Sequence, residues 1–317
     1  TGVDGQTAEE YGKDLEKNLA SLLDRAKSGT YQAPPVRRTR IPKGDGKSTR
    51  PLGIPTVEDK ILQKAVSMVM EAVYEQDFLD CSYGYRPKRS ALQALEALRD
   101  RLMETRGGWV IEVDIKGFFD NLVHSHLREI LSQRVRDGVI TRLVGKWLNA
   151  GVMERGELSY PDSGTPQGGV ISPLLANIYL HHVLDRWWNE AIRPRLLGKG
   201  ALVRYADDFV MVFEHKRDAE RMMSVLPNRF WKYGLQLHSD KTRMLEYKPR
   251  LESRNENLGQ PSSRSFDFLG FTLHWGRSRK GYWIVKRKTA KSRLRRTIKQ
   301  FNRWLQKVRH QPVEWQH

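Results

Sequence analysis

Cysteine is almost missing from this chain: one residue of 317, Cys81, carries a thiol. A single cysteine excludes an internal disulfide, and with nine scattered histidines it leaves no Cys/His group at structural zinc spacing. Long apolar runs are missing too. No stretch reaches the ~18 uninterrupted residues a membrane span needs, and the greasiest segments are broken by charges such as Asp207 and Asp208, so no transmembrane helix is expected. The chain opens Thr1-Gly2-Val3-Asp4-Gly5, without an initiator Met, a basic start or a following apolar stretch. No signal peptide is therefore read, the start looks cut from something longer, and a reducing, cytoplasmic setting fits. There is no internal repeat, and the length suits about two domains.

Acidic residues are also in short supply, 37 against 55 Lys and Arg, which leaves a net charge of +18. The excess sits in two places. Residues 36–50 hold six basic side chains and one acidic, and residues 277–317 hold fourteen and one. Such concentrated charge suits a polyanion, because each neutralised phosphate releases condensed counterions. A solvated face, or a basic helix lying on an anionic membrane, are the blander readings.

Apolar periodicity predicts a helix over 57–78, with Ile61, Ala65, Val69 and Val73 on one face, and another over 91–103, with Leu92, Leu95, Ala97, Leu98 and Leu102. The period then shortens to two: in 109–115, Trp109, Ile111, Val113 and Ile115 alternate with Glu112 and Asp114, which predicts a strand with Asp114 off the core face near its end. Residues 202–213 read as two apolar strands around a tight turn that holds Asp207 and Asp208. Further helices are expected over 173–184 and 216–233, and a polar surface loop over 248–265. Past Arg277 the pattern resembles a basic amphipathic helix, with Leu294, Ile298, Phe301, Leu305 and Val308 on one side and Arg293, Arg296, Arg303 and Lys307 elsewhere. Together these predict an α/β (α+β) fold of ferredoxin-like type, an antiparallel sheet covered by helices on one face.

A pair of aspartates at the tip of an apolar hairpin is costly unless exposed or paired, and Asp114 ends a second apolar strand. Three converging carboxylates would repel one another, and a divalent cation with hard oxygen ligands is the natural compensation. The plain alternative is that Asp207 and Asp208 are turn residues.

Tyr205-Ala206-Asp207-Asp208 resembles the tetrad of reverse transcriptases, and further blocks of that family follow in order. They are 2–5 (GVDG), 41–47 (IPKGDGK), 50–55 (RPLGIP), 82–87 (SYGYRP), 114–120 (DIKGFFD), 164–178 (GTPQGGVISPLLANI), 234–237 (GLQL) and 268–271 (FLGF). Along nearly its whole length the chain is similar to the fingers and palm of bacterial group II intron reverse transcriptases. The resemblance implies a right-hand polymerase with a ferredoxin-like palm. Residues 1–95 would form the fingers, completed by about 122–168, residues 96–121 and 169–275 the palm, and residues 276–317 the start of a thumb that continues beyond His317. It also implies RNA-directed DNA synthesis on a primer from dNTPs, in the service of group II intron mobility. Two Mg²⁺ ions would be held at Asp114, Ile115, Asp207 and Asp208, the three aspartates being catalytic. The partners would be an RNA template, a DNA or RNA primer and intron RNA, with no membrane.

Carried over residue by residue, the resemblance puts Lys43 and Arg50 on the triphosphate, Gln167 on the incoming sugar, and Lys241 near the leaving pyrophosphate. Phe119 would be a steric gate against the 2′-hydroxyl. Phe268, Leu269, Gly270 and Phe271 would form the primer grip. Asp120 reads as structural, His124, His126, His181 and His182 as solvated or satisfied in the core, and Cys81 as a buried small hydrophobe. The alternatives are a retron or CRISPR-associated reverse transcriptase, a maturase-like RNA-binding splicing cofactor, and, with least support from Ala206 and Phe119, an RNA-making polymerase.

Overall fold

The structure is a computed structural model, and it describes residues 1–42, 49–154, 156–160, 164, 168–249 and 265–312. At the N-terminus, a short helix α1 (Ala8–Gly12) starts on a Thr7/Glu10 capping box, and α2 (Leu15–Ser28) stops at Gly29, whose φ of 83° suits glycine. Strands β1 (Val36–Pro42) and β2 (Thr49–Ile54) form an antiparallel ribbon in which Ile41 faces Arg50. Helix α3 (Val57–Tyr74) is capped by the Thr56 hydroxyl, and α4 (Ala91–Glu104) by Ser90.

The face that α3 buries differs from the expected one. Leu62, Gln63, Val66, Ser67, Met70 and Tyr74 point inward, whereas Ala65 is exposed and Val69 is 57% exposed. The cause is a buried polar hub. Asp59 accepts hydrogen bonds from Tyr31 Oη, Trp147 Nε1 and Gln63 Nε2, and Gln63 Oε1 accepts from the Ile171 amide. Those fully engaged polar groups turn the helix away from the side that apolar spacing alone would choose.

Strand β3 (Trp109–Val113) follows, then α5 (His124–Ser132), α6 (Gly138–Leu148) and the short β4 (Val152–Glu154) and β5 (Glu157–Ser159). β4 runs parallel to β1 and so extends the ribbon. Next come α7 (Ser172–Leu180), prolonged by π-helical turns at His181–Asp185 and Trp188–Ile192, then β6 (Gly200–Tyr205), β7 (Asp208–Phe213), α8 (Lys216–Trp231) and β8 (Arg243–Glu246). The sheet order is β6-β7-β3-β8, all antiparallel. With α7 and α8 this is the β-α-β-β-α-β arrangement of a ferredoxin-like unit, as expected.

The sheet is covered on both faces, not one. Ile111, Val113, Phe209, Met211 and Phe213 meet α7 and α8. On the opposite face Val110, Val203, Val210 and Val212 meet α4 and a three-stranded sheet of β9 (Phe266–Phe268), β10 (Phe271–Arg277) and β11 (Trp283–Thr289). The unbroken apolar run of β7 is the signature of burial on both faces.

The segment past Arg277 also differs from expectation. Residues 283–289 form a strand that pairs with β10 at all seven positions, and helix α9 begins only at Lys291, running to Val308. Its apolar stripe, Leu294, Ile298, Phe301 and Leu305, is exposed, and Val308 is buried. Most of the expected polar loop over 248–265 lies outside the described residues.

Candidate active site

Asp114 stands immediately after β3, where the alternation of that strand carries it to the face shared with Val110 and Glu112. β3 lies beside β7 in the sheet, and β7 begins at Asp208. The turn that joins β6 to β7 has two residues, Ala206 and Asp207, between the facing pair Tyr205 and Asp208. Ala206 takes φ 57°, a conformation more usual for glycine at this position of a two-residue hairpin.

A buried ion pair holds that turn. The Arg204 guanidinium, fully buried, donates to both carboxylate oxygens of Asp185 at 2.8 and 2.5 Å, to Asn177 Oδ1 at 2.9 Å and to the Ala206 carbonyl at 2.9 Å. Asn177 in turn donates to the Gly84 carbonyl at 2.7 Å. Sequence reasoning missed this group. Its one signal was an arginine inside an otherwise apolar strand, which burial makes costly unless it is paired.

The three carboxylates sense one another. Burial, followed by the charges of Asp207 and Asp114, pushes the Asp208 carboxyl up to about 6, against an opposing pull from Lys241. Part of the Asp208 side chain still reaches solvent. Burial raises Asp207 as well, with Asp114 adding to the effect and Arg204 opposing it. Asp114 is balanced by Lys241, whose Nζ lies 2.6 Å from its Oδ2. The segment carrying Lys241 is fastened alongside: Ile115 bridges to Leu237, and the His238 amide donates to the Asp114 carbonyl at 2.8 Å. The Ile115 side chain points into the core.

Among the described residues no group of three or more His, Cys, Asp or Glu side chains is gathered closely enough to form a finished metal cage. The donor set nevertheless suits a hard divalent cation. Its candidate ligands are carboxylate oxygens, and the burial and mutual repulsion that raise Asp207 and Asp208 are what such a cation would offset.

Phe119 is half-buried in the turn after Asp114, its ring edge-on to the buried Phe118 at 5.2 Å. Gly164 packs on that turn so tightly that a Cβ there would sit 2.8 Å from the Phe119 carbonyl. Arg50 is exposed on β2. Gly168 abuts the same strand: its φ is 110°, and an added Cβ would meet the Gly53 carbonyl at 2.4 Å. Lys43 and Gln167 lie outside the described residues.

Phe268 and Phe271 face each other across a two-residue turn in which Leu269 (φ 50°) and Gly270 (φ 80°) both have positive φ, so the chain doubles back here from β9 into β10. Among the histidines, His124 Nε2 lies 2.5 Å from the Gly164 carbonyl, and burial lowers His181, which lies edge-on to Phe78. Burial likewise pushes the Cys81 thiol up. His124 and Cys81 fit core roles, whereas the buried His181 Nδ1 has no hydrogen-bond partner among the described residues.

A ferredoxin-like sheet with carboxylates at the ends of neighbouring central strands defines the palm of a template-directed nucleic-acid polymerase. The family described as "Reverse transcriptase (RNA-dependent DNA polymerase)" matches residues 41–273, and the chain belongs to it. It is 36% identical to Protein YkfC of Escherichia coli over 97% of this chain and 84% of that protein. It is 42% identical to the group II intron-encoded protein LtrA of Lactococcus lactis over 59% of this chain, a match that spans 30% of LtrA. A solved telomerase from Candida albicans, in complex with a fragment of telomeric RNA, shares the fold with a TM-score of 0.58 and 16% identity, over 90% of this chain and 49% of that one. The chain is thus a reverse transcriptase by family, related to group II intron-encoded proteins. Among the described residues no helix is long and apolar enough to cross a membrane.

Proposed function

We propose that this chain is the fingers and palm of a group II intron-type reverse transcriptase, which copies an RNA template by extending a DNA or RNA primer with dNTPs. The observation that carries the reading is the placement of Asp114, Asp207 and Asp208 at neighbouring ends of adjacent sheet strands, with Lys241 against Asp114. Intron mobility, with intron RNA as a partner, is the context suggested by the relative LtrA and by the ordered sequence blocks. We divide the chain as the blocks suggest, with fingers over 1–95 and 122–168, palm over 96–121 and 169–275, and the thumb beginning at 276. The cytoplasm is the matching location.

In this reading Asp114, Asp207 and Asp208, with the backbone at Ile115, would hold two magnesium ions, which when bound would supply activation of the primer 3′-hydroxyl and neutralisation of charge on the triphosphate and departing pyrophosphate. The protein supplies position and charge. Arg50, with Lys43, grips the triphosphate through forked and point-charge donors. Gln167 meets the sugar, and the Phe119 ring lies under it and leaves no room for a 2′-hydroxyl. Lys241 hands a proton to the pyrophosphate oxygen as the bond to the α-phosphorus breaks. Phe268 to Phe271 seat the primer end.

The test is primer extension on an RNA template with Mg²⁺. The parent should add dNTPs, and added chelator should stop it. Phe119→Val should keep most dNTP activity and narrow the ratio of dNTP to rNTP efficiency. An unchanged ratio with a lower melting temperature would assign Phe119 to the core instead.

A further inference from the structure

The segment 82–86, Ser82-Tyr83-Gly84-Tyr85-Arg86, has no part in the chemistry above, yet it lies against the catalytic hairpin. The Arg204 amide donates to the Cys81 carbonyl at 2.8 Å and the Tyr83 amide to the Arg204 carbonyl at 2.9 Å, so the segment runs along the edge of β6. At Gly84 the two backbones touch, since a Cβ there would sit 2.3 Å from the Ala206 nitrogen. Tyr85 is the next residue, beside the turn that carries Asp207.

Both flanks of Tyr85 are anchored. Asn177 holds the Gly84 carbonyl, and the buried Arg86 donates to Glu75 at 2.9 Å and to the carbonyls of Leu79 at 2.7 Å and Ser82 at 2.8 Å. Between these anchors Tyr85 takes φ 55°, which is uncommon for any side chain and an outlier for an aromatic one. Strain of this kind persists where the surroundings over-determine it, and it collects at ligand sites. The conformation does not serve to bury the ring, which is 57% exposed and lies tilted, 6.5 Å from the Tyr205 ring. After burial of part of the side chain, the Asp207 charge is the next cause that raises the Tyr85 phenol, while Arg50 lowers it, so the ring lies within the field of both the catalytic carboxylates and β2.

We propose that Tyr85 is a stacking platform for a nucleobase of the primer-template end seated at Asp114, Asp207 and Asp208. A rigid, exposed π face presents no donor pattern to read one base against another, so the contact tolerates any sequence, as a copying enzyme requires. The base comes from the template strand or from the primer terminus, and the recognition chemistry is the same for both. This inference rests on the polymerase reading of the site.

The test places 2-aminopurine, whose fluorescence falls on stacking, either in the template opposite the incoming nucleotide or at the primer 3′ end. Parent and Tyr85→Phe should quench one of the two probes equally, and the responding probe names the strand. Tyr85→Ala should lose that quenching and raise KM for the next dNTP or the Kd for the duplex by roughly tenfold, the range of one base-aromatic stack, with kcat changed far less. Tyr85→Gly also removes the ring, but it relieves the positive φ, so it should lose the quenching while keeping the parent's melting temperature. Unchanged quenching and KM in both ring-less variants would overturn the proposal, as would a Tyr85→Phe that behaves like Tyr85→Ala. If the parent neither binds nor extends the duplex, the polymerase reading fails and this inference falls with it. If it extends normally while neither probe responds, only the inference falls.

Discussion

Two tight turns, Ala206-Asp207 and Leu269-Gly270, are held in opposite ways. The turn at Ala206-Asp207 is fixed from beneath by the buried Arg204–Asp185 pair, with Asn177 and Gly84 completing the support. The turn at Leu269-Gly270 is fixed from outside by the start of α9: the Ala290 amide donates to the Gly270 carbonyl at 3.1 Å, and the exposed Arg293 reaches the Leu269 carbonyl and lies 6.0 Å over the Phe271 ring. A buried ion pair is costly to assemble and tolerates little movement. The difference teaches that the turn carrying Asp207 is built to hold one position, whereas the turn at Leu269-Gly270 is tied to a helix whose apolar stripe is exposed.

The sharpest way to break this comparison is to unpair each support. Asp185→Asn leaves the Arg204 cation buried without a counter-charge, and we expect a loss of about 3–5 kcal/mol in urea unfolding. Arg293→Ala removes an exposed support and should cost about 1 kcal/mol or less. Equal losses would erase the distinction.

Gly84→Ala comes next in size. Its Cβ collides with backbone at Ala206, which cannot swing aside, and overpacking of this kind costs about 1–3 kcal/mol. The extension rate should fall further than that loss of stability alone explains. Gly270→Ala meets the far end of the flexible Arg293 side chain and pays mainly for its positive φ, about 1–2 kcal/mol. Extension rates measured beside melting temperatures separate the two variants.

The smallest effect concerns Asp208. Its folded value near 6 lies above the ordinary 3.8, so the folded state holds a proton that the unfolded state lacks between about pH 4 and 6. Stability therefore falls as pH rises through that window, and the penalty is complete above it. Asp208→Asn should melt higher than the parent above pH 6 in chelator, by about 1 kcal/mol because solvent screens a partly exposed carboxyl. The advantage should vanish below pH 4. No counterpart is expected at Leu269-Gly270, which carries no titrating side chain.

Much of this was legible in the sequence. Two acids between apolar runs marked the 202–213 hairpin, and alternation placed Asp114 at the open end of its strand. The ferredoxin-like order followed from the succession of elements. Other features depend on partners distant in sequence. Asp185 and Arg204 are 19 residues apart on different elements, and no local rule joins them. The buried face of α3 is set by Asp59 and Gln63, which a count of apolar residues reads as surface. Strand β11, rich in Lys and Arg, blended into the basic helix behind it because only pairing with β10 makes it a strand. The double burial of the sheet was signalled by the continuous apolar run of β7, a signal that alternation in β3 concealed.

The central claim, that Asp114, Asp207 and Asp208 form the metal-bearing catalytic set, is tested most directly by primer extension with Asp207→Asn on an RNA template in Mg²⁺, measured together with affinity for the primer-template. The variant should lose extension while its affinity is unchanged or slightly tighter, since removing a negative charge from a polyanion groove does not weaken binding. Extension at anything near the parent rate would contradict the account.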